Sequence, residues 1–241
     1  MTQLILLPGL ACNDVMWQSQ LAILPAHLRP HVTDVHTRCD TIEAMARMLL
    51  EEQSGDLILC GASMGGIVAM QVAQQAPERI SGLALLGTSA RPETEDIRAL
   101  RETAITLFAA GRADEVLRAN VPLALHARHA SDRTLVQRYL DFVLAAGAQQ
   151  LIRQNRAIMA RPDARRHLPQ LRCPVLVVCG DSDQLTPPEC AREIADLVPQ
   201  ARLETIAQCG HMLTMEQPEH VNAVLLQWLA ALPAGVAQSA G

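Results

Sequence analysis

Short, almost unbroken apolar runs recur along the chain, at Leu4–Leu7, Leu57–Cys60, Ile80–Leu86 and Val175–Cys179. Strands look like this when a parallel sheet is covered by helices on both faces. Two weaker segments, His31–His36 and Leu203–Ile206, read as further strands. Between them the pattern changes to helical spacing, predicting helices over residues 14–24, 41–53, 64–76, 188–198 and 217–231. Thr41 is a good N-cap for the second, and Pro188 suits the first turn of the fourth. The alternation predicts an α/β fold: a mainly parallel sheet of about six strands with helices on both faces.

One stretch breaks the rhythm. Residues 91–168 carry no strand signal, and helical patterns fill them at Thr94–Ala110, Ala113–Leu117, Thr134–Ala145 and Gln149–Met159. Gly111, Pro122, Gly147 and Pro162 mark the breaks. The expected organisation is therefore a core of residues 1–90 and 169–241 with an inserted helical cap at 91–168. A helical block inserted between two parallel strands falls over the C-terminal edge of the sheet, where open α/β sheets bind ligands. The small, polar tail Pro233–Gly241 reads as frayed.

Composition sharpens this picture at a few points. Hydrophobic residues make up 49% of the 241 and charged residues 19%, which suits a large core. Aromatics are only 2%, so any pocket is expected to have aliphatic walls. The net charge of −5 gives no reason to expect nucleic acid. The chain has no lysine; fourteen of its arginines, against nine carboxylates, lie between Arg91 and Arg172. That excess reads first as a solvated helical surface, and second as a basic lobe over a site for an anionic substrate. Seven cysteines, an odd number without C-x-x-C spacing, argue against a disulfide framework and a zinc site. No metal or cofactor is expected. The N-terminus lacks a basic segment before its apolar run, and no apolar stretch reaches the roughly 18 residues of a membrane span. A cytoplasmic protein without membrane contact, monomeric or homodimeric, is the expectation.

The candidate chemistry begins at Gly61-Ala62-Ser63-Met64-Gly65-Gly66. G-x-S-x-G is weak alone, but here it joins a buried strand to a helix, the setting in which it makes a nucleophile elbow. A sharp turn there strains the serine backbone and leaves no room for neighbouring side chains, hence the glycines. A serine nucleophile needs a base, and the base an orienting acid. After the strand Val175–Cys179 comes Gly180-Asp181-Ser182-Asp183-Gln184-Leu185-Thr186-Pro187-Pro188. Asp183, further out on the loop, is the expected acid; Asp181 is the structural alternative, a turn or capping carboxylate. The preceding strand ends Leu86-Gly87-Thr88-Ser89 with no carboxylate before Glu93, which favours Asp183. Of eight histidines, only His211 follows a predicted strand end and precedes a helix.

Together these segments, with Cys209-Gly210-His211-Met212-Leu213-Thr214-Met215-Glu216 near the end, resemble the α/β-hydrolase family over nearly the whole chain. The likeness is to capped small-molecule hydrolases, including bacterial esterases and enol-lactonases. It implies Ser63 as nucleophile, His211 as general base then acid, and Asp183 as orienter. It also implies an oxyanion hole made by the backbone N–H groups of Met64 and, from the first loop, Leu10. Most members carry His-Gly where this chain has Pro8-Gly9, and that histidine shapes the loop. Trp17 matches the family's loop tryptophan, with packing of the first helix as its plainer reading. The two edge strands that usually come first in the family appear absent from this sequence. The implied function is hydrolysis of a small ester, lactone or thioester through an acyl-enzyme. Relatives turn the same machinery to carbon–carbon cleavage, elimination or cofactor-free peroxidation, and some act as slow-turnover receptors. Gln154-Asn155-Arg156 and Arg161-Pro162-Asp163 are the candidates to meet a polar or carboxylate-bearing substrate, through Arg156 or Arg161 above all. Cys12 and Cys209 flank the expected site and read as small packing residues.

Overall fold

The computed structural model describes residues 2–233; the rest of the tail for which fraying was expected lies outside the described residues. Six strands form one sheet: β1 (Gln3–Leu7), β2 (His31–Val32), β3 (Leu57–Ala62), β4 (Ile80–Leu86), β5 (Val175–Gly180) and β6 (Arg202–Ile206). Every pairing is parallel, in the order β2-β1-β3-β4-β5-β6. The order reverses at β1, so the strand ends of β1 and β3 flank a topological switch point, where such sheets open a crevice.

The continuous apolar runs do what both-face burial requires. Along β1 and β3, Leu4, Leu6, Ile58 and Cys60 pack on one face, and Ile5, Leu7, Leu57 and Leu59 on the other. The second face is covered by α3 (Ile42–Glu52), α4 (Met64–Gln75) and α11 (Pro188–Leu197), through residues such as Met45, Leu49, Val68, Val72 and Ile194. The first face meets α13 (Pro218–Ala230), whose Val221, Val224 and Trp228 join that core. Thr41 caps α3 by accepting from the Ala44 N–H at 3.1 Å, as its sequence predicts.

Two expected elements came out shorter. The strand over His31–His36 stops after two residues, and Val35–Arg38 winds into a single turn, α2. Val35 and His36 are both buried on that turn, which an alternating strand would not allow. The helix expected over 14–24 divides into a 3₁₀ turn, Asp14–Trp17, and a short α1, Gln18–Leu21. The C-terminal segment holds a single turn, α12 (Leu213–Glu216), before α13. Between β4 and β5 the chain is wholly helical, as expected: α5 (Glu95–Ala109), α6 (Ala113–Ala119), α7 (Val121–Ala124), α8 (Ala127–Ala130), α9 (Arg133–Ala145) and α10 (Gly147–Met159). Gly111 and Gly147 sit at helix ends with φ of +78° and +74°, values that favour glycine. Among the described residues no helix is long and apolar enough to cross a membrane.

Helix α4 crosses the sheet at very short range. A side chain at Gly65 would run into the backbone carbonyls of Leu7 and Pro8, and one at Gly61 into the backbone of Gly65. Gly65→Ala should therefore lower stability by about 1–3 kcal/mol or more, read as a lower urea midpoint at unchanged slope; an unshifted midpoint would mean that α4 has room to spare.

Candidate active site

The C-terminal ends of five strands converge on one edge of the sheet, and the candidate residues lie on the loops that leave them. Ser63 follows β3 directly. Its backbone is left-handed, with φ 52° and ψ −117°, a conformation that costs about 1–3 kcal/mol for a residue with a side chain. Surrounding bonds hold it there: its N–H donates to Leu86 O at 2.9 Å, and its carbonyl accepts from Thr88 Oγ1 at 2.7 Å and Gly66 N at 2.9 Å. The Ser63 N-cap position places its side chain at the positive end of a twelve-residue helix.

His211 and Asp183 meet across the same edge. His211 Nδ1 lies 2.8 Å from Asp183 Oδ2. A carboxylate accepts only, so Nδ1 carries the proton and Nε2 keeps its lone pair. The Asp183 carboxylate is fully buried and its other oxygen accepts the N–H groups of Leu185 and Thr186, each at 2.9 Å. Thr186 Oγ1 also donates to Oδ2 at 2.8 Å. Burial by itself would raise the Asp183 pKa, but the His211 charge and hydrogen bond, with the Thr186 donors, outweigh it and hold the carboxyl below its ordinary value. Burial likewise would lower the His211 pKa, and the facing Asp183 charge and hydrogen bond hold it above the ordinary histidine value. Beneath the pair runs Gly87, with φ +51°, where a side chain would lie 3.4 Å from Asp183 Oδ2 and 3.5 Å from His211 Nδ1.

Backbone donors in two places are without a partner among the described residues at this edge. Met64 is the first residue of α4, so its N–H has no partner within the helix. The Leu10 N–H, on the loop after β1, likewise donates to nothing among the described residues, while its neighbours Ala11 and Cys12 do donate. A side chain added at Gly9 would sit 3.3 Å from Ser63 Cβ, so the first loop abuts the serine. The loops of this sheet edge thus carry a strained serine, an imidazole oriented by a buried carboxylate, and free helix-start and loop N–H groups.

The family model described as serine aminopeptidase, S33, matches residues 24–218. The chain belongs to this family and is an α/β-hydrolase. A pimeloyl-(acyl-carrier protein) methyl ester esterase of Aromatoleum aromaticum is 31% identical over 241 residues, covering 93% of this chain and 96% of that protein. A thermophilic esterase from Thermogutta terrifontis, solved with malate bound, superposes with a TM-score of 0.85 at 26% identity, covering 95% of this chain and 90% of the other. The enol-lactonase from Burkholderia xenovorans LB400 superposes with a TM-score of 0.83 at 22% identity over 95% and 92% of the two chains, a likeness of fold.

The hydrolase does not gather every candidate at the site. Arg161 is buried away in an ion pair with Glu93 at 2.9 Å and donates to the carbonyl of Arg91 at 2.7 Å, so its guanidinium is already engaged. Arg156 projects to solvent on α10, with no contact that ties it to Ser63 or His211. Trp17 is completely buried in the core, the plainer of its two readings. Most of the other arginines from 91 to 172 pair with carboxylates or carbonyls of the protein itself, among them Arg91, Arg101, Arg112, Arg118 and Arg165. Cys12 and Cys209 are buried thiols whose pKa burial pushes up, as packing residues require. Both phenylalanines and the single tyrosine, Phe108, Phe142 and Tyr139, share one apolar cluster with Leu10, Cys12, Ala62 and Met212.

Two further carboxylates support the loops, Asp181 in the turn role the sequence offered it and Glu216, which sequence reading passed over. Asp181 accepts the N–H groups of Gln208 and Cys209 at 3.0 and 3.3 Å, tying the acid loop to the histidine loop. Glu216 is completely buried and accepts from Gly210 N and Met212 N at 3.1 Å, on either side of His211. It also accepts from His126 N at 2.8 Å and lies 2.9 Å from His129 Nδ1, both in the helical segment between β4 and β5. Its spacing of five residues after His211 was the one available signal. Glu216→Gln would turn an amide N–H₂ toward these donors, and we expect a loss of about 2 kcal/mol or more; Asp181→Asn, at an exposed position, should cost less. Denaturant unfolding of the two variants checks the order, and a larger loss in Asp181→Asn would contradict it.

Proposed function

We propose that the protein is a serine hydrolase of small carboxylic esters that works through an acyl-enzyme. The observation that carries this reading is the 2.8 Å contact between His211 Nδ1 and Asp183 Oδ2, on the sheet edge that also presents Ser63 in its strained turn. In this reading Ser63 Oγ attacks the ester carbonyl carbon while His211 Nε2 takes its proton. The N–H groups of Met64 and Leu10 receive the charge that develops on the carbonyl oxygen. The tetrahedral adduct collapses, the C–O bond to the alcohol breaks, and His211 returns the proton to the departing oxygen. Water then attacks the acyl-Ser63 carbonyl, with His211 acting as base again, and releases the acid. Asp183 holds the imidazole tautomer and stabilises the imidazolium without taking the proton. The helices over residues 91–168 serve as the cap.

Substrate class follows from the cap. Its aromatic residues cluster with Leu10, whereas its buried arginine faces Glu93. That supports an uncharged aliphatic acyl group rather than an anionic one. The methyl ester esterase activity in the printed name of the Aromatoleum relative points to the same bond type.

Ser63→Ala should abolish p-nitrophenyl butyrate hydrolysis and leave the unfolding transition in place; turnover at the original rate would rule the reading out. In the active protein kcat/KM should rise with pH, because the base must be neutral. Its midpoint should lie above 6.5, since the Asp183 pair keeps His211 protonated to higher pH than a free imidazole. Asp183→Asn removes that charge, so the residual activity should titrate at lower pH and fall by orders of magnitude. A midpoint unmoved by Asp183→Asn would assign the pH dependence to another group.

A further inference from the structure

The first loop lacks the histidine that usually shapes it in this family, yet it is not loose. Three buried groups close a ring around it. Ala11 N–H donates to Gln154 Oε1 at 2.8 Å, and Gln154 Nε2 donates to His36 O at 3.0 Å. His36 Nε2 lies 2.9 Å from Cys12 O. Gln154 is wholly buried and His36 nearly so. The chemistry fixes each orientation. An N–H only donates and a carbonyl only accepts, so the Gln154 amide has one possible direction and His36 must carry its proton on Nε2. Burial lowers the His36 pKa, which keeps the ring neutral. Next to Gln154, Arg153 donates to Thr37 O, so α10 is stitched to the α2 turn at two successive residues.

The ring acts on the residues that follow Leu10. Ala11 has φ +60°, a left-handed conformation that alanine adopts at a cost. The bond to Gln154 holds its N–H, and the bond from His36 anchors the loop two peptides further on, at the Cys12 carbonyl. The first bond sets the plane of the peptide that adjoins the Leu10 N–H, and the second holds the far side of the same turn, on a loop already abutting Ser63. We infer that Gln154 and His36 are positioning residues for the oxyanion: they aim the Leu10 N–H from a cap helix and from a turn after β2, in place of the usual loop histidine. This rests on the proposed acyl-transfer reading, in which Leu10 is the second donor.

The test is Gln154→Met, which keeps the volume and removes both hydrogen bonds, together with His36→Leu and the conservative His36→Gln. An aimed donor matters only when the oxyanion forms. Gln154→Met should lower kcat about 10- to 100-fold while KM moves by no more than about twofold, since a transition-state contact leaves ground-state binding alone. Affinity for a trifluoromethyl ketone analogue, which carries the oxyanion, should fall by the same factor as kcat/KM. The pH midpoint set by His211 should stay where it is. His36→Leu should behave alike, and His36→Gln, which keeps an N–H donor, should recover most of the loss. A folded Gln154→Met with unchanged kcat overturns the inference, as does a loss of kcat without loss of analogue affinity. Should Gln154→Met fail to fold, the contrast between His36→Leu and His36→Gln decides: equal activity in the two overturns it. Activity surviving in Ser63→Ala would instead refute the hydrolase reading itself, so the two failures are distinguishable.

Discussion

Helix α4 lies so close to the strands beneath it that residue 65 has no space for a side chain. Much of the candidate site depends on this closeness. It forces the chain to turn from β3 into α4 within a single residue, and that residue, Ser63, absorbs the turn in a left-handed backbone. It brings the end of β1 alongside the turn, so Gly9 stands against the Ser63 side chain. It also leaves the first N–H of α4 without an acceptor at the same place. The backbone strain, of about 1–3 kcal/mol for such a conformation, is offset by the bond to Leu86 O, the bond from Thr88 Oγ1 and the core that α4 completes.

Three carboxylates near this edge show how environment separates roles for like groups. Asp183 is buried against an imidazole and a threonine hydroxyl, and its charge sets the state of His211. Asp181, two residues earlier, is exposed and ties one loop to another. Glu216 is buried among backbone N–H groups and holds the histidine loop from behind. None of the three is interchangeable with another, because each has a different set of donors around it. A buried carboxylate with several charge-assisted bonds is tolerated where an unpaired one would be costly.

The sheet and its three principal candidates were legible because each is announced by local chain pattern: a buried run, then a turn, then a helical start. Ser63, Asp183 and His211 all stand at such junctions. Gln154 stands out in the sequence as a polar cap residue, but its bond to the first loop could not be found this way. Its partner, Ala11, is 143 residues away, and on α10 it sits among polar residues that look solvated. Nor does anything in the sequence near Arg161 reveal that Glu93 meets it in a buried pair. His36 fell inside an apparent alternation of polar and apolar residues that reads as strand. Its buried hydrogen bond to Cys12 O belongs instead to the turn Val35–Arg38.

One carbonyl also bears on how a substrate gets in. Ala124 O receives the N–H groups of both His211 and Met212, at 3.0 and 3.1 Å. With Glu216 reaching His126 and His129, and Gln154 reaching Ala11, the helical segment is fastened to both the histidine loop and the first loop. Swinging it away as a rigid gate would strip partners from buried polar groups on both sides, each at a cost of about 1–3 kcal/mol. Under the proposed reading, a substrate reaches Ser63 without this segment swinging away as a rigid gate, because its fastenings to both loops stay in place.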